Sequence, residues 1–426
     1  ADRPRQMQSH VQRGSNMNRT SKSLDRISVG TVNVGPLAKR LINEALDKNR
    51  ISQGQLVRQF EHLFAAYHGE EMHCVATGTG TGAGSLAVAA VRERGARPGA
   101  EVILPALTFI ATANAVVHAG CIPRFVDVDP LTWQIDPARV ADAINERTCA
   151  ILPVHLFGKP APMDALLEIA TPRQVPIVED AAQAHGARDK GRVVGTMGLM
   201  GTFSFYAAHI ITTGEGGAVL TADEEVAGIL RSLRAHGRAC KCEVCRLHIS
   251  SAHCPLRFEH NGHADGRFLF ERLGYSEKMN ELEAALGIEQ VARLDEIVAR
   301  RRANLFYLNE ELAEFGGTFR FLTEAPGERL SPLVYPLVIQ SGAPFSRWEI
   351  TQHLEGHGIE TRPMFGSIPT QQPAYTFLGH RRGEFPHAEA VGERGFYVGV
   401  HQDLDQADLD RMATCIADFV RRGGEL

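Results

Sequence analysis

Between Ser28 and Thr221 the chain alternates short, continuous apolar runs with helix-spaced stretches, and few architectures accept that pattern. The runs include EVILP (101–105), RFVDVD (124–129), CAILPVHL (149–156), VPIVED (175–180), MGTFSF (200–205) and GGAVLT (216–221). Between them, SLAVAAVRER (85–94) and MDALLEIA (163–170) place apolar residues at helical intervals. A strand that is apolar on both sides of its pleat must be covered on both faces, which a mostly parallel sheet flanked by helices achieves. Ligands of such sheets sit beyond the carboxyl ends of the strands, so the residues just after each run are the first candidates for function.

The rest of the chain divides around that pattern. Residues 1–27 are polar and Arg-containing, with no apolar core of the secretory kind, and read as a solvated tail. Residues 28–295 read as a large domain and 296–426 as a smaller α+β domain, because 426 residues exceed one small core. Long helical material is expected over 274–315. A strand is expected at LVYPLVI (333–339), a helix near 347–358 and a final helix near 408–422. No run of about 18 apolar residues is present, so no membrane span is expected, and the cytoplasm is the expected compartment. Lys and Arg total 45 against 50 Asp and Glu, a net charge of −5, which argues against gripping nucleic acid by bulk charge.

Three segments carry candidate chemistry. CVATGTGTGAGSLAVAAV (74–91) sets a Gly/Thr loop between a strand and a helix, where free N–H groups and positive potential suit a phosphate. VEDAAQAHGA (178–187) ends an apolar strand on Glu179 and Asp180, and a strand-end carboxylate can face a cationic nitrogen. GTFSFYAAHIITTGEGGAVLT (201–221) delivers Ser204 and His209 into a Thr- and Gly-rich turn. Each is weak alone. A strand-end acid is more often a surface group, and a lone His is more often structural.

In this order the three segments resemble fold-type-I enzymes that use pyridoxal 5′-phosphate (PLP), the aspartate aminotransferase-like α/β fold. More narrowly, the chain resembles the DegT/DnrJ/EryC1/StrS family of sugar aminotransferases. ISQGQLVRQFEHLFAAYHG (51–69), PALTFIATANAVVHAG (105–120) and GYSEKMNELEAALG (274–287) add to the match. The resemblance implies that Asp180 pairs with the pyridinium nitrogen, Gln183 contacts the ring hydroxyl and Phe109 lies against the ring. It implies that Ser204, Gly80, Thr81 and Gly82 hold the phosphate. Ser276 stands where the family usually has an Asn that reaches the partner subunit's phosphate in a homodimer.

The departure from the family is His209, which occupies the place of the Schiff-base lysine. Imidazole forms no stable imine with the cofactor aldehyde, so PLP or its amine form, pyridoxamine phosphate (PMP), must be held non-covalently. A histidine retains the proton-transfer role. This resembles the branch of the family that removes the C3 hydroxyl of nucleotide-linked 4-keto-6-deoxyhexoses. Arg362, in ETRPMFGSIPTQQPAY (360–375), is then placed to contact the sugar nucleotide. Two rival readings remain. One is a sugar aminotransferase using another lysine, with Lys278 and Lys159 as candidates. The other is a non-catalytic relative, against which the intact Asp180, Gln183, Phe109 and Ser204 count.

A Cys-rich insertion spans 238–268. Cys240, Cys242, Cys245 and Cys254 form a C-x-C-x2-C-x8-C set, with His248 and His253 as spare ligands. Zinc, an iron–sulfur cluster and free thiols all remain open for it. One type within the dehydrase branch carries a 2Fe–2S cluster and takes electrons from a separate reductase. That type has a cysteine far upstream, and the corresponding position here is Ala182.

Overall fold

A computed structural model describes residues 26–240, 254, 265, 268–365 and 368–425. Seven strands build the main sheet: β1 (His73–Thr77), β2 (Glu101–Pro105), β3 (Ile122–Val126), β4 (Thr148–Ile151), β5 (Val178–Asp180), β6 (Met200–Ser204) and β7 (Gly217–Thr221). They form two hydrogen-bonded groups, β3-β2-β4 and β5-β6-β7-β1. Parallel bridges from Ile151 to Ile177 and from Val154 to Asp180 join the groups edge to edge. Only β7 runs antiparallel to its neighbours. The sheet is therefore mostly parallel, as the apolar runs predict.

Alternation along the strands explains why those runs are apolar throughout. Val102 and Leu104 of β2 enter one core, with Phe60, Phe64 and Leu86. Ile103, between them, enters a second core with Val140, Met163 and Leu166 from the helices Pro137–Ala143 and Met163–Ala170. A period of two thus sends successive side chains to opposite helical layers. In β6, Phe203 meets Phe64 edge-on at 5.0 Å, and Phe205 just beyond the strand meets Phe60 at 5.2 Å. Ser204 is out of phase with both.

The C-terminal part carries a second, antiparallel sheet. Its strands are β8 (Phe319–Phe321), β9 (Tyr335–Ile339), β10 (Arg362–Pro363) and β11 (Gly395–Val398), in the order β8-β9-β11-β10. The helices Arg347–Gly356 and Gln406–Arg421 lie in this part, and capping boxes at Ser346 and Asp405 start both. The long helical stretch expected over 274–315 is two helices, Glu281–Ala292 and Leu294–Glu311, with Arg293 between them at φ −106° and ψ 2°. An Asn280 capping box starts the first, so GYSEKM lies outside it.

The expected tail, 1–27, runs too far at its end, because Ile27 packs into the fold. Ile27 is buried and pairs with Ile359. The Cys-rich insertion leaves from a short stem: Ala235 bridges Ser276, Arg238 bridges Phe270, and Ala239 N–H donates to Leu269 O at 2.9 Å. Among the described residues, no helix is long and apolar enough to cross a membrane.

Candidate active site

The carboxyl ends of β5 and β6 and the N-terminus of the helix Gly80–Glu93 converge on a cavity of about 450 Å3. Gly80, Thr81, Phe109, Asp180, Gln183, Ser204 and His209 all line it. These residues are far apart in sequence, and the sheet order brings them together.

Strand alternation sorts the two acids at the end of β5. Glu179 is fully buried and serves as a structural hub. It accepts from His155 Nε2 at 3.0 Å and from the backbone N–H groups of Gly195, Met197 and Gly198 at 2.7, 2.7 and 2.6 Å. Asp180, one residue on, faces the cavity. It accepts from Thr112 Oγ1 at 2.8 Å and from Ala182 N–H at 3.2 Å. Burial pushes its carboxyl above the usual range, against the lowering effect of those two bonds. None of its bonds comes from a basic side chain, so a cationic ligand nitrogen would complete it.

The loop before the helix Gly80–Glu93 has little spare room. Thr79 is the N-cap, and its Oγ1 accepts from Gly82 N–H at 2.9 Å. A Cβ on Gly80 would lie 2.3 Å from Ser204 Cβ and 2.6 Å from Ser204 Oγ. Only glycine lets this backbone approach the serine hydroxyl, and together they form a cradle with exposed N–H groups. Gly82 does not line the cavity, and its N–H is already spent on the cap. Gln183 Oε1 accepts from Phe157 N–H at 3.0 Å, which leaves its amide NH2 free to donate.

His209 sits in the turn after β6. Its backbone N–H donates to Tyr206 O at 2.9 Å, and Phe205 N–H donates to Gly216 O at 2.9 Å, closing the turn. The ring Nδ1 is 2.8 Å from Ser204 O. A carbonyl only accepts, so Nδ1 carries the proton and Nε2 keeps its lone pair. Burial lowers the pKa of the ring to about 4, so at neutral pH it is an uncharged base.

A second cavity of about 760 Å3 adjoins the first, sharing Thr108, Phe109, Gln183, Tyr206 and His209. Arg362, Pro363, Phe365 and Tyr397 form part of its outer wall. Arg362 is ion-paired with Glu360 and half exposed. Among the described residues, no lysine lines either cavity. Lys159 is tied to Glu328 and donates to Thr323 O at 3.0 Å, while Lys278 is 3.1 Å from Ser276 Oγ. Ser276 lines neither cavity.

Sequence reasoning passed over Thr79, Thr112 and Tyr206. Thr79 was readable from its place before a helix, as the N-cap type at that spacing. Thr112 and Tyr206 carry no such signal. Of the cysteine set, Cys240 and Cys254 are described, as free, partly buried thiols. Cys242, Cys245, His248 and His253 lie outside the described residues.

Comparison with known proteins places this geometry among relatives. The DegT/DnrJ/EryC1/StrS aminotransferase family model matches residues 35–417. GDP-perosamine synthase of Caulobacter vibrioides is 34% identical over 394 residues, covering 92% of this chain and 98% of that protein. The dTDP-4-dehydro-2,6-dideoxy-D-glucose 3-dehydratase of Saccharopolyspora spinosa is 35% identical over 396 residues, covering 90% of this chain and 84% of that one. Among solved structures, E. coli GDP-4-keto-6-deoxy-D-mannose-3-dehydratase with bound hydrated PLP superposes with a TM-score of 0.82. The identity is 27%, over 92% of this chain and 99% of the other.

Proposed function

Because the chain belongs to the DegT/DnrJ/EryC1/StrS aminotransferase family, we propose that it removes the C3 hydroxyl of a nucleotide-linked 4-keto-6-deoxyhexose. PLP or PMP is held without a covalent tether, and His209 is the base. The fold is that of PLP-dependent enzymes, and the relatives are sugar aminotransferases and dehydratases. The observation that carries the finer reading is an imidazole with a free Nε2 in a cavity lined, among the described residues, by no lysine.

The residues fit the cofactor on two counts. The Gly80–Ser204 approach makes an anion cradle that a Cβ would fill, and Asp180 is a part-buried carboxylate with no basic side chain bonded to it. When bound, the cofactor supplies an electron sink that lets a hydroxyl next to the reacting carbon depart. Asp180 holds the proton on the ring nitrogen, and Thr112 fixes the carboxylate that does so. Ser204 Oγ and the backbone at Gly80 and Thr81 bind the phosphate. Gln183 donates to the ring hydroxyl, and Phe109 covers the ring face. His209 Nε2 takes up a proton, and the Ser204 carbonyl, held by Nδ1–H, stabilises the imidazolium that results. Arg362 offers its guanidinium to the nucleotide diphosphate in the outer cavity.

Ser276, outside both cavities, is assigned to the site of a second copy, which makes the working unit a homodimer. A metal on Cys240, Cys242, Cys245 and Cys254 belongs to the same proposal. Metal analysis with a visible spectrum separates zinc from an iron–sulfur cluster, and the latter would bring in a reductase as partner. The similarity to GDP-perosamine synthase favours amine transfer as the second reading.

Borohydride reduction of the PLP-loaded enzyme followed by peptide mapping tests the choice. We expect no lysine to carry the cofactor, and a labelled lysine would overturn the reading. Mass measurement of a 4-ketosugar nucleotide after turnover then separates loss of the C3 hydroxyl from gain of an amine.

A further inference from the structure

Outside the lining of both cavities, one face of the C-terminal part gathers two imidazoles and a thiol. His353 lies on the helix Arg347–Gly356 and His357 caps its C-terminus. A spacing of four residues places both rings on one side of the helix. Their centroids are 4.3 Å apart and their planes 41° to one another. Cys415 faces them from the helix Gln406–Arg421. One nitrogen from each ring and the Cys415 Sγ all lie within 4.8 Å of one another.

The details suit coordination. His357 Nδ1 donates to His353 O at 2.8 Å, which fixes the tautomer and leaves Nε2 with its lone pair. The Phe419 ring lies 5.0 Å from the His353 ring and supports it. His353 and Cys415 are each 8% exposed, while His357 is open to solvent. An ion would thus have a shielded inner side and one accessible position. The charged groups facing the site are Asp418, which favours a cation, and Arg411 and Arg422, which oppose one.

We propose that His353, His357 and Cys415 form a binding site for one zinc ion that clips the helix Arg347–Gly356 to the helix Gln406–Arg421. Two nitrogens and a sulfur select a borderline or soft ion over magnesium or calcium. The thiol loses its proton to solvent as the metal–sulfur bond forms, and no electron changes hands. Three protein ligands leave the fourth, outward position to water. None of the three residues lines the candidate active site.

The test compares wild-type full-length chain with His357→Ala, a change on the exposed side of the cluster. Both are stripped with chelator and titrated with zinc sulfate, and zinc is counted after desalting. The variant should retain one equivalent less than wild type. Zinc should raise the melting temperature of wild type more than that of the variant, and the metal-free proteins should melt together. Cobalt loading should give a thiolate charge-transfer band whose wild-type-minus-variant difference is also absent from Cys415→Ser. Equal zinc content and equal thermal shifts in wild type and His357→Ala would overturn the proposal, because all bound zinc would then sit elsewhere, on the cysteines of 240–254 above all.

Discussion

Replacing Gly80 with Ala probes the cradle with a single methyl group. The added carbon would lie 2.3 Å from Ser204 Cβ, 2.6 Å from Oγ and 3.1 Å from Cα. These atoms are next to the backbone of β6, inside the sheet, so they cannot swing aside as the tip of a long side chain would. Overpacking of this kind costs roughly 1–3 kcal/mol. Alanine's better helix propensity returns at most about 1 kcal/mol at this helix start. The net expectation is a fold weaker by about 1–2 kcal/mol. Cofactor binding should suffer more, because the displaced Ser204 hydroxyl loses a charge-assisted bond to phosphate worth about 1.5–3 kcal/mol. That is roughly a 10- to 100-fold rise in the PLP dissociation constant. The assay is titration of apoenzyme with PLP, followed by absorbance, alongside urea unfolding without cofactor. Gly228→Ala is the control, since a Cβ there meets nothing within 4 Å, and it should bind PLP normally. If Gly80→Ala binds PLP as tightly as the control, the phosphate does not lie between Gly80 and Ser204.

Three other perturbations follow from the same geometry. Thr112→Val removes the 2.8 Å bond to Asp180, so the carboxyl should rise further and kcat should fall about tenfold, read from kcat against pH. Burial lowers the His68 pKa from 6.5 to about 4, so the folded state resists protonation that the unfolded chain accepts. Its contribution of about 3 kcal/mol is whole above the unfolded value and is lost as pH falls from there through about 4. Urea unfolding of His68→Gln at about pH 7 and about pH 5 should show a shallower loss than wild type, and an unchanged loss would refute the assignment. Glu179→Gln leaves several buried N–H groups short of a charged acceptor, so unfolding should become easier by about 3 kcal/mol in urea.

The legible parts of this chain were those in which one residue type has one physical use. Continuous apolar runs have a single solution, and the strands fall on them. RFVDVD and CAILPVHL overran their strands, which end at Val126 and Ile151. In the second, Pro153 has no N–H to continue the ladder. Asp180 and Ser204 stood out at the ends of such runs, and His209 just after one. Glu179 and Asp180 look equivalent as letters, and only the pleat separates an internal hub from a cavity group. Gly82 looked like one more phosphate glycine, yet the Thr79 side chain uses its N–H. Thr112 and Tyr206 reach the cavity through tertiary contacts alone, which no local pattern reports. The antiparallel direction of β7 was equally hidden, since GGAVLT reads the same in either sense.

The stem beneath the Cys-rich stretch has a practical meaning for protein engineering. Residues 239 and 269 touch through their backbones, so a short link would suffice to join them. Loop-closure cost grows only slowly with length. A short turn joining the two sides of the stem is therefore expected to fold, with the melting temperature as its check.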